Sequence, residues 1–516
     1  MGSTLASSGM EKFTARERVL ARNLAGNINF TPATLYSRLD PQWIPKPFLL
    51  EASLRIAQTI AKPNGRLIIS WPPRHGKSRL ATIATPIWVL ENFPEMEIIL
   101  TTYGADLSTD FGREIRDIFQ RNKHILTQEI RPDVKSVGRF MTKAGGAMRS
   151  VGLGGGIVGR GADVFLIDDY IKLASEAASK GKRDSDWEWF TGTVYHRIEP
   201  NGSIIIIATR WHWDDLIGRI LKNFPDEWEH VKFTAEALEG DILGRKVGEA
   251  LFPERYDEEA LKDKRKVLGS YFYNAIYQQD PDNKADKITD RSWIETVGAV
   301  PFHNRMKYAR VWDFGGATGK SDYNAGGLIA VDTHTQEMYI LNMWRRQCSP
   351  QVLESKVKEL ARIDGLDTKV ILEQEPGSSG ATVVDHYINQ VLPEYTVTGS
   401  PSTLTKLVRA MPFIAAAEAG KVKMLKGHWN EDFLSEFDDF PDGDHDDQID
   451  TIAIGYNELL GKKPMSPTWG RNTKINKKVG PQEELRGGDH RSEEYHLSKE
   501  DKRRPIFLVK GATWGR

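Results

Sequence analysis

The sequence predicts an α/β protein with two successive α/β regions, the first built on a mostly parallel sheet and the second on a mixed sheet. Apolar runs separated by helices or turns indicate buried strands of a sheet covered on both faces. In the first region these runs are residues 66–71, 97–103, 164–168 and 203–209. In the second, where closely spaced runs suggest a meander, they are residues 309–315, 324–332, 337–346 and 369–375.

Helices are expected where apolar residues recur at three- and four-residue spacing. This pattern covers residues 11–24, 106–121, 350–362 and 447–460. Residues 231–282 are charged and are also expected to be rich in helix.

Composition sets the expected domain boundaries. A polar segment containing a proline, residues 278–287, marks the main break. We expect a polar N-terminal extension, a first α/β domain, a lid or linker, a second α/β domain and a basic tail; they cover residues 1–45, 46–230, 231–285, 286–460 and 461–516. The tail holds 14 Lys and Arg against 7 Asp and Glu, and such a composition favours mobility.

Bulk properties exclude several classes of protein. The 516 residues carry a net charge of −1, so any nucleic-acid binding must use local basic patches. A single cysteine, Cys348, excludes a disulfide framework and a cysteine-based zinc site. No apolar run reaches the length of a membrane span, and the first residues lack the apolar core of a signal peptide. We therefore expect a cytosolic protein that does not enter a membrane.

A phosphate-binding loop follows the first apolar strand. Residues 71–78 read WPPRHGKS, which ends in the Gly-Lys-Ser of a loop that cradles nucleotide phosphates. The first glycine of that pattern is missing, since Trp71 stands there. A chance HGKS in a turn is the alternative interpretation. The residues expected to bind nucleotide are Arg74, His75, Gly76, Lys77 and Ser78, with Ser78 also expected to bind Mg²⁺.

A second acidic motif strengthens the nucleotide-site prediction. The strand at 164–168 ends in Asp168 and Asp169. We expect Asp168 to hold Mg²⁺ and Asp169 to orient the attacking water, although many motor ATPases carry Glu at the second position. Capping of the next turn is the alternative role for a carboxylate at a strand end.

Two further segments suit an ATPase. The glycine-rich segment 152–163 presents Arg160, which is expected to reach a phosphate of its own or a neighbouring subunit; Arg149 is the competitor, and a surface role is the alternative. The strand at 203–209 ends in Thr209, where a sensor of the γ-phosphate is expected; an ordinary strand end is the alternative.

Carboxylates in the second region predict a metal-dependent nuclease. A two-metal site needs carboxylates from several elements that hold ions roughly 3.5–4 Å apart. Asp313 lies in an otherwise apolar strand, where an unpaired charge would be costly. Glu373 ends another strand, and Glu375 follows on the same face.

The helix predicted at 447–460 supplies the third element. Asp447 and Asp450 are three residues apart and so share a helix face in its first turn. A solvated acidic loop is the alternative for this charge run. His445 either assists or is a surface histidine. The expected nuclease residues are Asp313, Glu373, Asp447 and Asp450, with Glu375 as a further metal ligand.

The ordered motifs resemble the large terminase subunits of tailed bacteriophages. The resemblance covers roughly residues 45–460 and rests on PPRHGKS, GRGADVFLIDD, ATRWHWDDLIGR, YQQDP, WDFG, EQEPGSSG and HDDQID. It implies an N-terminal P-loop ATPase of the ASCE type and a C-terminal nuclease with an RNase H/RuvC-like fold.

The resemblance also implies function and partners. ATP and Mg²⁺ would serve the motor, and Mg²⁺ or Mn²⁺ the nuclease. Such a motor pumps double-stranded DNA into procapsids, cuts concatemeric DNA, and acts with a portal protein and a small terminase subunit as a ring on the procapsid. Its place is the host cytoplasm and, transiently, the portal, but not the mature virion.

The resemblance carries over to single residues. Arg74, Lys77 and Ser78 match the family's phosphate loop, Asp168 and Asp169 its second ATP motif, Arg160 its trans-acting arginine, and Thr209 its coupling motif. The adenine-contacting glutamine motif is not evident at residues 45–53, and the last nuclease position is open among Asp446, Asp447 and Asp450. The alternatives in function are a helicase-like or repair ATPase-nuclease, and a scaffold with degenerate sites.

Overall fold

The computed structural model describes residues 31–156, 161–281, 288–315, 323–402, 405–441 and 443–461, all within one compact unit. The helix predicted at 11–24, the candidate Arg160 and the basic tail beyond residue 461 lie outside the described residues. No helix in the described ranges is both long enough and apolar enough to cross a membrane.

The first region forms a sheet of eight strands. They are β1 (Arg66–Ser70), β2 (Glu97–Thr102), β3 (Ile130–Lys135), β4 (Arg139–Thr142), β5 (Ala147–Gly152), β6 (Ala162–Asp168), β7 (Ile198–Ala208) and β8 (Glu229–Lys232). Their order is β3-β4-β5-β2-β6-β7-β1-β8. Strand β4 is antiparallel to β3 and β5, and the other pairs are parallel. The predicted mostly parallel sheet is confirmed. The sequence did not reveal the antiparallel strands at one edge of the sheet, because that part of the sequence is polar.

Helices pack around this sheet. They are α1 (Pro32–Leu39), α2 (Pro47–Ala61), α3 (Thr85–Asn92), α4 (Ala105–Arg121), α5 (Ala174–Ala178), α6 (Lys180–Trp189), α7 (Tyr195–Arg197), α8 (Leu216–Asn223) and α9 (Glu258–Ile276), with π-helical turns at Arg79–Ala84 and Phe190–Val194. The helix predicted at 106–121 is therefore confirmed as α4.

The expectation that residues 231–282 are rich in helix is confirmed for residues 258–276 and wrong for residues 233–257. That segment is a loop, and helix begins only with α9. The loop contains Gly240, Gly244 and Gly248, whose φ angles of 75°, 70° and 86° are incompatible with a right-handed helix. Its charged composition resembles that of an exposed helix, and this misled the prediction.

The second region forms a mixed sheet of seven strands. They are β9 (Glu295–Val297), β10 (Met306–Asp313), β11 (Asn324–Asp332), β12 (Met338–Arg346), β13 (Lys369–Gln374), β14 (Val397–Pro401) and β15 (Val422–Leu425), in the order β14-β13-β10-β11-β12-β15-β9. The predicted meander is confirmed, because β11 is antiparallel to both β10 and β12.

The helices of this region are α10 (Pro350–Asp364), α11 (Ser378–His386), α12 (Lys406–Glu418), α13 (Asn430–Asp439) and α14 (Asp447–Leu460), with a 3-10 turn at Arg291–Trp293 and a π-helical turn at Tyr387–Val391. Both predicted helices, 350–362 and 447–460, are confirmed as α10 and α14.

One apolar core joins the two regions. Tyr273 and Ile276 of α9 belong to the same buried cluster as Phe413 and Ile414 of α12. The two helices also meet at Gly269, where α9 is kinked by a φ of 73° and the backbone N–H of Ser270 donates to a Glu418 carboxylate oxygen at 2.8 Å. The break predicted from polarity near residue 280 is thus bridged by helix packing.

Candidate active sites

The register of three parallel strands brings the predicted ATP residues together. Ser70, at the end of β1, pairs with Ala208 of β7, and Ile207 pairs with Asp168 at the end of β6. Parallel strands end at the same edge of a sheet, so the segments that leave these strands meet there. They carry the 71–78 loop, the two aspartates and Thr209.

The 71–78 loop has the backbone of a tight turn. Arg74 and Gly76 have φ angles of 61° and 86°. Glycine adopts this conformation without strain, whereas arginine does not. The Arg74 side chain is exposed, while His75 is buried and its Nδ1 lies 2.8 Å from the Pro73 carbonyl oxygen.

His75 packs in an aromatic pocket beneath this loop. Its ring stacks on Tyr256 with a centroid distance of 5.4 Å and contacts Phe48 and Phe252. Burial lowers the pKa of His75 to about 4, despite its hydrogen bond with the Pro73 carbonyl. His75 is therefore a neutral, packed part of the loop's base, and its contact with nucleotide stays a prediction.

Lys77 lies at the centre of a buried polar cluster. Its Nζ atom donates to Asp169 Oδ1 at 2.6 Å and to the Thr209 hydroxyl. The backbone N–H of Thr209 also donates to Asp169 Oδ1 at 3.3 Å, and the Thr209 hydroxyl donates to the Trp71 carbonyl at 3.2 Å. The loop lysine, the second acidic motif and Thr209, the predicted γ-phosphate sensor, are thus in direct contact.

Asp168 lies beside this cluster and is buried. Burial, helped by the neighbouring Asp169, raises the pKa of Asp168 to about 8, while Lys77 and a hydrogen bond from Ser78 oppose the rise. Its Oδ1 atom is buried and accepts no hydrogen bond from any described residue. A buried carboxylate oxygen without a donor, next to a serine hydroxyl, fits a bound Mg²⁺.

The strand end beyond Thr209 is tied to helix α9. The Arg210 backbone N–H donates to Gln279 Oε1 at 2.9 Å, and Gln279 donates in turn to the Ile276 carbonyl. The Arg210 side chain forms a buried ion pair with Asp215 at 2.8 Å. The motif YQQDP therefore links the ATP-site edge to the helix that packs against the second region.

Arg149, the competitor of Arg160, does not face this cluster. It lies in β5 and its guanidinium is 3.4 Å from Glu97. Glu97 begins β2, whereas the Asp168 end of the sheet adjoins Thr102, five residues further along β2. At about 3.3 Å per residue the two ends are roughly 16 Å apart.

The second cluster of acidic residues forms at the edge of the mixed sheet. Strands β10 and β13 are parallel, and Trp312 pairs with Leu372, so the next residues, Asp313 and Glu373, lie side by side. Glu373 pairs in turn with Ser400 of β14. This is the convergence that the sequence predicted for the two strand carboxylates.

Helix α14 brings in the third carboxylate. It packs closely on β10 and β11 because Gly455 has no side chain; a Cβ atom there would overlap Ile329 and Val311. Oxygen atoms of Asp313, Glu373 and Asp450 all lie within 4.8 Å of one another. Among the open candidates on this helix, the geometry therefore groups Asp450 with the two strand residues.

The other acidic candidates lie around this cluster. Asp446 pairs with Lys406, whose Nζ lies 2.6 Å from its Oδ1. Asp447 is buried and accepts from the Tyr323 backbone N–H at 3.3 Å. Asp447 and Glu375 line the same cavity as Asp313 and Glu373, which has a volume of about 380 Å³. His445 is exposed and contacts the Tyr323 ring edge-on.

The carboxylates of this cluster have shifted pKa values. Burial, together with the adjacent Glu373, raises the pKa of Asp313 well above its ordinary value. Burial acts in the same direction on Glu373, but hydrogen bonds from Asp313, Ser402 and Arg409 and the charge of Arg409 lower its pKa. Burial raises the pKa of Asp450 to about 7, against the effect of Arg409. Such carboxylates favour a cation.

The residues fit a divalent metal ion. All three carboxylates offer oxygen ligands, which Mg²⁺ and Mn²⁺ prefer. Asp450 Oδ1 is buried and has no hydrogen-bond partner among the residues that the structure describes. A cation is the expected partner for an oxygen in this position.

Two successive parts of the chain, one around each cluster, match terminase families. Residues 68–296 match the family described as terminase large subunit, T4likevirus-type, N-terminal, and residues 310–459 match the terminase RNaseH-like domain. The chain belongs to the terminase large subunit family. The predicted fold class is therefore confirmed, with the terminase ATPase region followed by an RNaseH-like domain.

Solved terminase structures resemble this terminase at low sequence identity. A large terminase from a thermophilic bacteriophage, in complex with ADP, is 13% identical, covers 83% of this chain and 98% of that one, and has a TM-score of 0.41. The HK97 bacteriophage large terminase is 11% identical, with coverages of 87% and 100% and a TM-score of 0.35. The nuclease from phage G20c with bound magnesium is 15% identical, with coverages of 34% and 99% and a TM-score of 0.25. No curated protein matches the chain.

The sequence did not reveal several residues at these sites. Arg409 of α12 is buried and bridges Glu373 and Asp450. Within a helical pattern, an arginine usually indicates an exposed face, so only its position three residues after Lys406 could have suggested a shared face. Lys406, Ser402 and Gln279 were also missed, although Gln279 stands within the YQQDP motif.

Proposed function

We propose that this terminase is an ATP-driven motor that moves double-stranded DNA into procapsids and cuts concatemeric DNA with a two-metal nuclease. One observation carries the proposal: the Lys77–Asp169–Thr209 cluster and the Asp313–Glu373–Asp450 cluster occupy the edges of two different sheets in one chain. Membership of the terminase family supports their assignment to ATP hydrolysis and DNA cleavage.

In the ATP site the chain's own groups account for binding and proton handling. The Lys77 ammonium binds phosphate oxygens, and the backbone N–H groups of the 71–78 loop surround them. Ser78 and Asp168 would hold Mg²⁺, which supplies positive charge to the β- and γ-phosphates. Asp169 orients the attacking water, and Thr209, hydrogen-bonded to both Lys77 and Asp169, responds to loss of the γ-phosphate.

In the nuclease site Asp313, Glu373 and Asp450 would hold divalent ions, with Asp447 and Glu375 as further ligands of the same cavity. Bound Mg²⁺ or Mn²⁺ supplies a water nucleophile and stabilises charge on the phosphodiester. Lys406 also lines the cavity and attracts the DNA phosphate.

In the ATP site, Arg160 is proposed to reach the ATP of a neighbouring subunit in a ring.

Family membership supports a proposed assembly. It comprises a ring of this chain on a portal protein, with a small terminase subunit that recognises viral DNA, in the host cytoplasm. We also propose the domain boundaries at residues 45, 230, 285 and 460 given above.

A reciprocal pair of variants tests whether the two activities are separable. Lys77→Ala removes the phosphate-binding ammonium, so ATP hydrolysis should be lost while Mn²⁺-dependent DNA cleavage remains. Asp313→Ala should abolish cleavage and leave hydrolysis. Phosphate release and plasmid nicking measure the two activities, and circular dichroism checks folding. Loss of both activities in either folded variant would contradict the proposal.

A second experiment distinguishes packaging from helicase-like unwinding. A packaging motor should hydrolyse ATP faster in the presence of portal or procapsid and should not displace a strand from a forked duplex. Strand displacement without stimulation by portal would favour the helicase-like or repair enzyme.

A further inference from the structure

The buried guanidinium of Arg409 is an unexpected component of the nuclease cluster. One of its terminal nitrogens lies 2.7 Å from Glu373 Oε1, and the other binds Asp450 Oδ2. Its side chain is only 8% exposed, so water screens this charge weakly. A permanent positive charge therefore lies between two of the three carboxylates assigned to the metal.

The position of Arg409 is fixed by its neighbours. Its terminal nitrogen also binds the Ser402 hydroxyl, and its carbonyl accepts from Asn457 Nδ2 of α14 at 2.9 Å. Helix α12 is thereby attached to α14, the helix that supplies Asp450. Because the guanidinium is a planar fork, it orients both carboxylates at once.

The fork occupies one oxygen of Asp450 and leaves the other free. Asp450 Oδ1 is buried and unpartnered within the described ranges, and it belongs to the carboxylate whose Oδ2 binds Arg409. The guanidinium thus covers one side of the Glu373–Asp450 pair and leaves the oxygen on the other side without a partner, as an ion would need. A second ion on the covered side would compete with the guanidinium for the same two oxygens.

Charge balance points to the same arrangement. When ionised, Asp313, Glu373 and Asp450 carry three negative charges, which Arg409 and one divalent ion neutralise. The two nearby cations are already paired, Lys406 with Asp446 and Arg345 with Glu436, so neither adds to the charge of Arg409. A second divalent ion would need further negative charge, which Asp447 and a DNA phosphate can provide.

We propose that Arg409 is a positioning residue that takes the place of the second cation, so that the DNA-free nuclease site binds one divalent ion and the second arrives with the DNA phosphate. This inference rests on the proposed nuclease function and adds a stoichiometry to it. Removing the guanidinium frees oxygens of Glu373 and Asp450 for a second ion.

Manganese binding to the full-length protein without DNA or nucleotide tests the proposal. The number of ions is measured by calorimetry, and electron paramagnetic resonance detects spin coupling between ions roughly 3.5–4 Å apart. The wild type should bind one ion more than Asp313→Asn, with an uncoupled signal. Arg409→Gln should bind two ions more than Asp313→Asn, and its electron paramagnetic resonance signal should show spin coupling between the ions.

Two further variants separate charge from folding effects. Arg409→Lys keeps the charge but not the fork, so it should still bind one ion, with affinity about 10–100-fold weaker. Arg310→Gln makes the same change at a buried arginine that pairs with Asp364 away from the cluster, and it should behave like the wild type.

The outcomes distinguish this proposal from the proposed function. Two coupled ions in the wild type or in Arg409→Lys would overturn the role of Arg409, and this holds even if Arg409→Gln does not fold. A folded Arg409→Gln with one ion would also overturn it. If Asp313→Asn binds as many ions as the wild type, the carboxylate cluster is not the metal site and the proposed nuclease function itself fails.

Discussion

Lys77 and Asp169 form a buried ion pair, with Nζ 2.6 Å from Oδ1. They are 92 positions apart in the chain: Lys77 lies in the loop that follows β1, and Asp169 directly follows β6. Asp169 has a φ of 45°, a left-handed conformation that is strained for aspartate and points to a functional constraint. The pair joins the phosphate-binding group to the carboxylate proposed to orient water.

Asp169→Asn should abolish most ATP hydrolysis while preserving nucleotide binding. Asparagine keeps the shape of the side chain but cannot act as a base, a loss that typically costs about 10²–10⁴-fold in rate. Phosphate release measures turnover, and a fluorescent nucleotide measures affinity. The matched control is Asp186→Asn, which breaks the pair with Lys182; it should keep hydrolysis. Wild-type turnover in Asp169→Asn would exclude the proposed role.

Gln279→Ala should lower ATP hydrolysis as well as stability. The change leaves the buried Arg210 N–H and Ile276 carbonyl without their partner, at a cost of about 1–3 kcal/mol. It also releases the strand end that carries Thr209 from α9.

The neighbouring Gln278→Ala is the control for this prediction. Gln278 binds the backbone of Glu236 instead, accepting from its N–H at 3.0 Å. We expect Gln278→Ala to lose a similar amount of stability, measured by urea denaturation, but to show little change in ATP hydrolysis, measured by phosphate release. Equal hydrolysis by both variants would argue against a link through Gln279.

His75 should make the protein less stable in mild acid. Its pKa is about 4 when folded, against an ordinary value of 6.5, so the unfolded chain binds more protons between these values. Its contribution to stability is fully present above pH 6.5 and is lost as the pH falls toward 4. At pH 5 the loss is about 2 kcal/mol.

His75→Gln should therefore reduce the difference in unfolding free energy between pH 7.5 and pH 5 by about 2 kcal/mol. Urea denaturation at both values measures it. His230 gives a matched variant, because burial also lowers its pKa to about 4. The effects of His75→Gln and His230→Gln should add in the double variant, and an unchanged pH dependence in His75→Gln would contradict the prediction.

Most of the fold could be predicted because its signals are local. The apolar runs at 66–71 and 164–168 became β1 and β6, and the amphipathic pattern at 447–460 became α14. The glycine-containing loop at 233–257 could not be separated from a charged helix, since composition alone does not report backbone φ angles.

The sequence by itself determined the α/β class, the order of the two regions, the loop residue Lys77 and the strand-end residues Asp168, Asp313 and Glu373, because parallel strands place their ends at one edge. Only the tertiary structure decided that Asp450, and not Asp446, joins the carboxylate cluster, because this depends on how closely α14 packs at Gly455. It also decided that Arg409 faces inward. The packing of α12 against α14 sets that orientation, and no local pattern encodes it.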